Sequence, residues 1–154
     1  MFGNCRTRIK CRRGAILLMV MLSAATPAAS FLRAPGAGDP LPEVTMTDRN
    51  GDDRSLAELR GARPLLLSFF SVTCKPCRKE LPYLQSIHEK YGDRLTVLLV
   101  GVDRGCHQSF EPYGKEHGIT FPVLHDRIRK VEARLGAFSL PKLILADESG
   151  LIRR

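Results

Sequence analysis

The chain has 154 residues, enough for one ordinary domain and too few for two. Hydrophobic residues make up 44%, which can fill a core, and 24 basic against 16 acidic residues give a formal charge of +8. Five of the basic residues (Arg6, Arg8, Lys10, Arg12, Arg13) stand in the first thirty positions, where there is no Asp or Glu; the other 19 against 16 give only +3, a solvated surface that excludes a stripe tracking nucleic-acid phosphates.

The basic start runs into the apolar stretch 14–22 and then into small residues up to Ser30. A positive leader, a short apolar run and small residues describe a secretory signal, and the run is shorter than the roughly 20 residues that span a bilayer. Residues 1–30 are therefore expected to direct export to the periplasm or cell envelope, either cleaved or kept as an N-terminal anchor. Cys5 and Cys11 precede the apolar run and leave with a cleaved signal. Cys74, Cys77 and Cys106 remain, an odd number, so at least one is free, buried or bridged to another chain.

Residues 31–40, rich in Pro, Gly and Ala, form a linker or extended lead-in, and a single domain occupies 41–154. Its first strands, around 44–47 and 54–56, flank Asn50-Gly51, whose tolerance of positive φ suits a tight hairpin. Ser55 caps a short helical turn that Gly61 ends. The nearly continuous apolar run 65–71 predicts a strand buried on both faces, and Leu81, Leu84, Ile87, His88 and Tyr91 then mark one face of a helix. A second buried strand at 95–102 completes a βαβ unit with parallel pairing. Further helices are expected at 109–117 and 127–135, a strand at 142–146, and a last short strand at 151–152 after a turn. The reading ends without a final helix, as a short or truncated domain would.

Cys74 falls between the first buried strand and the helix. A helix N-terminus offers unpaired N–H groups and a partial positive charge, both of which favour a thiolate. Cysteines so placed ionise at about 3.5–7.5 instead of roughly 8.5. Lys75 and Arg78 add positive charge, and Pro76 needs no N–H in the first turn. Cys77, one turn further in, can then attack a mixed disulfide formed on Cys74, which gives two-step exchange. Cys-x-x-Cys is also half of a zinc site, for which Cys106 and His107 are adjacent candidates, and it could be a purely structural disulfide. The strand–helix junction and Pro76 favour redox chemistry with no cofactor beyond the Cys74–Cys77 disulfide. The histidines show no metal spacing; His88 packs on a helix face.

The segment Leu67-Ser68-Phe69-Phe70-Ser71-Val72-Thr73-Cys74-Lys75-Pro76-Cys77-Arg78-Lys79-Glu80-Leu81-Pro82 resembles the active-site region of TlpA/ResA-like thiol-disulfide oxidoreductases, a branch of the thioredoxin superfamily related to the redoxins and AhpC/TSA proteins. The likeness runs from about Leu41 to Ile152 and includes the Asn-Gly hairpin, Val102-Asp103, the segment 121–126 and Leu140-Pro141. It implies an α/β thioredoxin-like fold, a central mixed sheet flanked by helices with an N-terminal β-hairpin. It further implies an outward-facing reductant of protein disulfides, apocytochromes c among them, recharged by a membrane thiol transporter. By the same likeness Pro141 is a cis-proline facing the two cysteines. Three positions depart from the family: Thr73 stands where Trp is usual, Lys142 where Thr is frequent, and Ser68 where thioredoxins bury an acid. Glu80 is then the nearest proton acceptor. Two other functions compete. A peroxiredoxin-like peroxide reductase would want a Thr and a Pro where Ser71 and Leu67 stand, and an envelope copper protein would hold Cu(I) on Cys74, Cys77 and a histidine.

Overall fold

The computed structural model describes residues 33–154, with the backbone alone for 106–109. The expected export segment 1–30, with Cys5 and Cys11, and the side chains of Cys106 and His107 lie outside the described residues. Six strands form one mixed sheet: β1 (Thr45–Thr47), β2 (Asp53–Ser55), β3 (Leu65–Phe70), β4 (Thr96–Gly101), β5 (Val123–His125) and β6 (Lys142–Ala146), in the order β2-β1-β5-β4-β3-β6. Strands β3, β4 and β5 run parallel, whereas β6 and β1 are antiparallel to their neighbours. The helices are α1 (Leu56–Arg60), α2 (Lys75–Tyr91), α3 (Cys106–Glu116) and α4 (Lys130–Arg134).

The apolar runs of β3 and β4 are continuous because both faces of the sheet are covered. Side chains alternate across a strand. Leu65, Leu67 and Phe69 therefore join Leu98, Val100 and Val102 on one face, beneath Leu56 of α1 and Val131 of α4. Leu66 and Phe70 turn the other way with Val97 and Leu99, against Leu81 and Leu84 of α2 and Phe110 of α3. Phe70 and Phe110 meet edge to face at 5.3 Å, and a Cβ on Gly114 would come within 2.9 Å of the Phe110 ring. Of the expected α2 stripe, Leu81 and Leu84 are buried, whereas Ile87, His88 and Tyr91 are half-buried at its margin; Gln85 takes the remaining inward place and bonds Thr120 across to the next loop.

The structure differs from the sequence expectation in four places. The β1–β2 connection is a five-residue turn in which only Gly51 has positive φ; Asp48 Oδ1 accepts from the N–H groups of Asn50 and Asp52 and shapes it. Segment 121–126 contains the buried strand β5, too short for its alternation to be read. Helix α3 begins at Cys106 and α4 at Lys130, because Gly105 and Arg129 are left-handed and start each helix there. Residues 38–41 also run along the chain end: Gly38 and Leu41 donate to the carbonyls of Ile152 and Gly150, and Ile152 donates back to Asp39. On β6, Ile144 and Ala146 are buried, while Leu143 and Leu145 each remain 38% exposed.

Candidate active site

Every parallel strand ends on one edge of the sheet. Phe70 is in register with Gly101, Gly101 with His125, and Phe69 with Lys142 at the start of antiparallel β6. Segments 71–74, 102–104 and 126–129 leave the sheet there, and 138–141 enters it. Open α/β sheets place ligands at such carboxyl ends.

Cys74 is the N-cap of α2. Its backbone is extended (φ −79°, ψ 99°), its carbonyl accepts from Arg78, and its Sγ accepts from the Cys77 N–H at 3.2 Å. Pro76 occupies the first turn, where an N–H would lack a helical partner in any case. Cys74 and Cys77 are joined by a disulfide, with Cα atoms 5.3 Å apart. Their burial differs: Cys74 is half-buried, whereas Cys77 is 1% exposed within the cluster of Phe70, Leu81 and Leu84. When the bond opens, the outer sulfur keeps the helix N-terminus and an N–H donor, both of which favour negative charge, and the inner one sits in apolar surroundings that oppose it.

Ser68 and Glu80 meet. Ser68 lies on the α2 side of β3, and its Oγ donates to Glu80 Oε2 at 3.4 Å. The acid that β3 lacks is thus supplied from α2, three residues past Cys77 and on the same side of the helix. Burial pushes the Glu80 carboxyl above the ordinary glutamate value, and the Ser68 hydroxyl pulls part of the way back. Since folding raises this pKa, the folded protein holds the proton more tightly than the unfolded chain. Glu80's contribution to stability is therefore full below the unfolded pKa and lost as pH rises through the folded one. Glu80→Gln is expected to remove that decline, and denaturant midpoints compared at mildly acidic and neutral pH will show it.

The Leu140–Pro141 peptide bond is cis. Leu140 and Cys74 both pack on the cluster that contains Cys77, and the Phe69–Lys142 register places Pro141 beside the exit of β3. Thr73, exposed where the resembled family carries Trp, shares a 2.9 Å hydrogen bond with Ser71 Oγ. Sequence reasoning gave Asp103 no role, yet it organises this loop: Oδ1 accepts from Ser71 Oγ at 2.8 Å and Oδ2 from the Val72 N–H at 2.7 Å. A carboxylate directly after a buried parallel strand, at the edge where ligands bind, was the available signal. Among the described residues no three or more His, Cys, Asp or Glu side chains gather around a common point as metal ligands would.

The AhpC/TSA family model matches residues 37–154. The chain belongs to the AhpC/TSA family. Within this family it is similar to the thiol-disulfide oxidoreductase ResA of Geobacillus kaustophilus, at 30% identity over 79% of this chain and 69% of that protein. The ResA of Geobacillus thermodenitrificans is 28% identical over 96% of this chain and 86% of its own. A thiol:disulfide interchange protein DsbE of Chlorobium tepidum shares the thioredoxin-like fold, with a TM-score of 0.71 over 79% of this chain and 84% of that one, at 21% identity. This AhpC/TSA member is an oxidoreductase of the thioredoxin-like, thiol-disulfide type.

Proposed function

We propose that the protein reduces disulfides of exported proteins outside the cytoplasm, with Cys74 as attacking thiolate and Cys77 as resolving thiol. The supporting observation is the N-cap position of Cys74, half-buried and facing solvent chemistry, with Cys77 one turn inward and within bonding reach of it. In the reduced protein the Cys74 thiolate attacks one sulfur of a substrate disulfide. A mixed disulfide forms and the substrate's other sulfur leaves as a thiolate. Cys77, losing its proton to Glu80 or to water, attacks Cys74 Sγ; the Cys74–Cys77 bond closes, and the substrate's second thiolate departs. Two electrons pass from the protein dithiol to the substrate, and a dithiol donor must restore the reduced form. Glu80 can serve as acceptor because it is partly desolvated and lies on the Cys77 side of α2. Pro141 presents the backbone of Leu140 to an extended substrate segment.

The redox group is the Cys74–Cys77 disulfide alone. In this reading residues 1–30 act as the export signal, cleaved or kept as an anchor, residues 31–40 as lead-in and residues 41–154 as the domain that works in the periplasm or envelope. No helix among the described residues is long and apolar enough to cross a membrane. Substrates of this reading are protein disulfides, including those of apocytochromes c, and the donor is a membrane thiol-reducing transporter. Equilibration with a dithiothreitol redox buffer tests the direction of flow. The expected reduction potential lies near that of thioredoxin, about −270 mV; a potential near −120 mV would make the protein an oxidant and reject the reductant role.

A further inference from the structure

The loops around Cys74 carry their charges unequally. Lys75, Arg78, Arg104, Arg127, Lys130 and Lys142 all leave the same sheet edge as Cys74, and all are exposed. Four acids of these loops and of the helices that follow them are turned inward, whereas Asp52 and Asp53 of the β1–β2 hairpin, which meets this edge beside β5, are exposed. Glu80 is bonded to Ser68, and Asp103 holds Ser71 and Val72. Asp126 and Glu132 are 4% and 2% exposed; Asp126 accepts from two backbone N–H groups, and Glu132 pairs with Arg129. Even with Asp52 and Asp53 the edge shows a substrate net positive charge, although the basic excess of residues 33–154 is only 3, from 19 against 16.

The charges also border a recess. An open cleft of about 830 Å³ runs between β1 and the β5–α4 connection, with Arg104, Arg127 and Lys130 among its walls. Its exposed acid, Asp53, stands on β2 and accepts a hydrogen bond from Thr47. The cleft lies next to the cysteine loop: Arg104 on its wall directly follows Asp103, whose carboxylate holds Val72, two residues before Cys74. Ile128 at the same rim is 80% exposed, and Phe138, at the entry to β6, is 74% exposed.

We infer that this edge is a docking surface for acidic polypeptide: the disulfide that Cys74 attacks lies in a segment rich in Asp and Glu, whose carboxylates settle in the Arg104–Arg127–Lys130 cleft. The inference rests on the exchange reading above and adds the substrate class. Charge of one sign around a site raises the encounter rate of oppositely charged partners and does so less as salt screens it, with a Debye length of about 10 Å at 0.1 M. Ile128 and Phe138, exposed in the loops of this edge, offer apolar contact to the same segment.

Stopped-flow reduction of two synthetic peptides tests it. Both carry the same internal disulfide, one flanked by glutamates and the other by lysines, and 2-hydroxyethyl disulfide serves as a neutral small substrate. The reduced protein is expected to favour the Glu-flanked peptide by ~10-fold or more at low ionic strength. That preference should shrink toward unity in high salt and fall severalfold, or invert, in the R127E/K130E double variant. Reading the ratio of the two peptides cancels any general loss of activity in that variant. Equal rates for both peptides, with the neutral disulfide still reduced, overturn the acidic-substrate surface and leave the exchange chemistry standing. A preference that survives the double substitution overturns the assignment of the cleft. If the peptides are not distinguished and the protein instead sediments with phosphatidylserine vesicles, the edge faces lipid and the inference fails. No reduction of any of the three substrates removes the exchange reading, and this one with it.

Discussion

Replacing Cys74 by serine will reduce disulfide turnover to the rate of the thiol donor alone, whereas replacing Cys77 by serine will leave a protein that reacts once and stays bound. The two outcomes follow from position. Cys74 is the half-buried cysteine at the helix start, and its sulfur receives the Cys77 N–H. A serine hydroxyl there can cap the helix equally well, but it cannot act as a thiolate, so stability survives and chemistry does not. Cys77 is 1% exposed and cannot be reached by a protein substrate, yet it lies one turn from Cys74. Its loss leaves the first displacement intact and removes the second. Insulin reduction assays should therefore be silent for both variants. Non-reducing gels after incubation with a disulfide-bearing protein should show a covalent adduct for Cys77→Ser alone. Adducts formed equally by Cys74→Ser would reverse the assigned roles, and full turnover by both variants would remove them.

Much of this arrangement was legible in the chain because it depends on local signals of sufficient length. The run 65–71 reads as a strand covered on both faces, and the alternating division of its side chains between two clusters is the physical counterpart of that continuity. Cys74 could be placed because strand, Pro76 and helical periodicity adjoin one another. The remaining features depend on pairings distant in sequence. Asp103 binds a loop 31 residues away, and Glu80 meets a serine twelve residues earlier on a different element. Strand β5 has three residues, all buried, so neither alternation nor length could mark it. The turn at 48–52 falls where Asn50-Gly51 marks it, but its shape depends on the Asp48 carboxylate, which binds the N–H groups of Asn50 and Asp52 and leaves Gly51 alone with positive φ.

The largest expected loss of stability comes from a residue with no part in exchange. Asp126 follows β5 and is 4% exposed; its Oδ1 accepts from the Lys130 N–H at 2.9 Å and its Oδ2 from the Glu132 N–H at 2.7 Å. Helix α4 has five residues and takes no side-chain cap from its own N-cap residue, so this carboxylate does that work from further back along the chain. A hydrogen bond to a charged group contributes roughly 1.5–3 kcal/mol, and a buried donor left unpaired costs about 1–3 kcal/mol. Asp126→Ala removes the acceptor of two such donors at once. Some water will enter, so a destabilisation of about 3 kcal/mol is expected, with Tm lowered by roughly 10 °C. Asp126→Asn keeps one acceptor oxygen and should lose about half as much. Because Val131 and Leu135 pack from this helix segment into the core opposite α2, the damage should be cooperative, visible as one earlier transition in calorimetry. Disulfide exchange at temperatures well below that transition should continue. If Asp126→Ala melts with the parent protein, the two carboxylate contacts carry no net stability, and α4 is held by its apolar face alone.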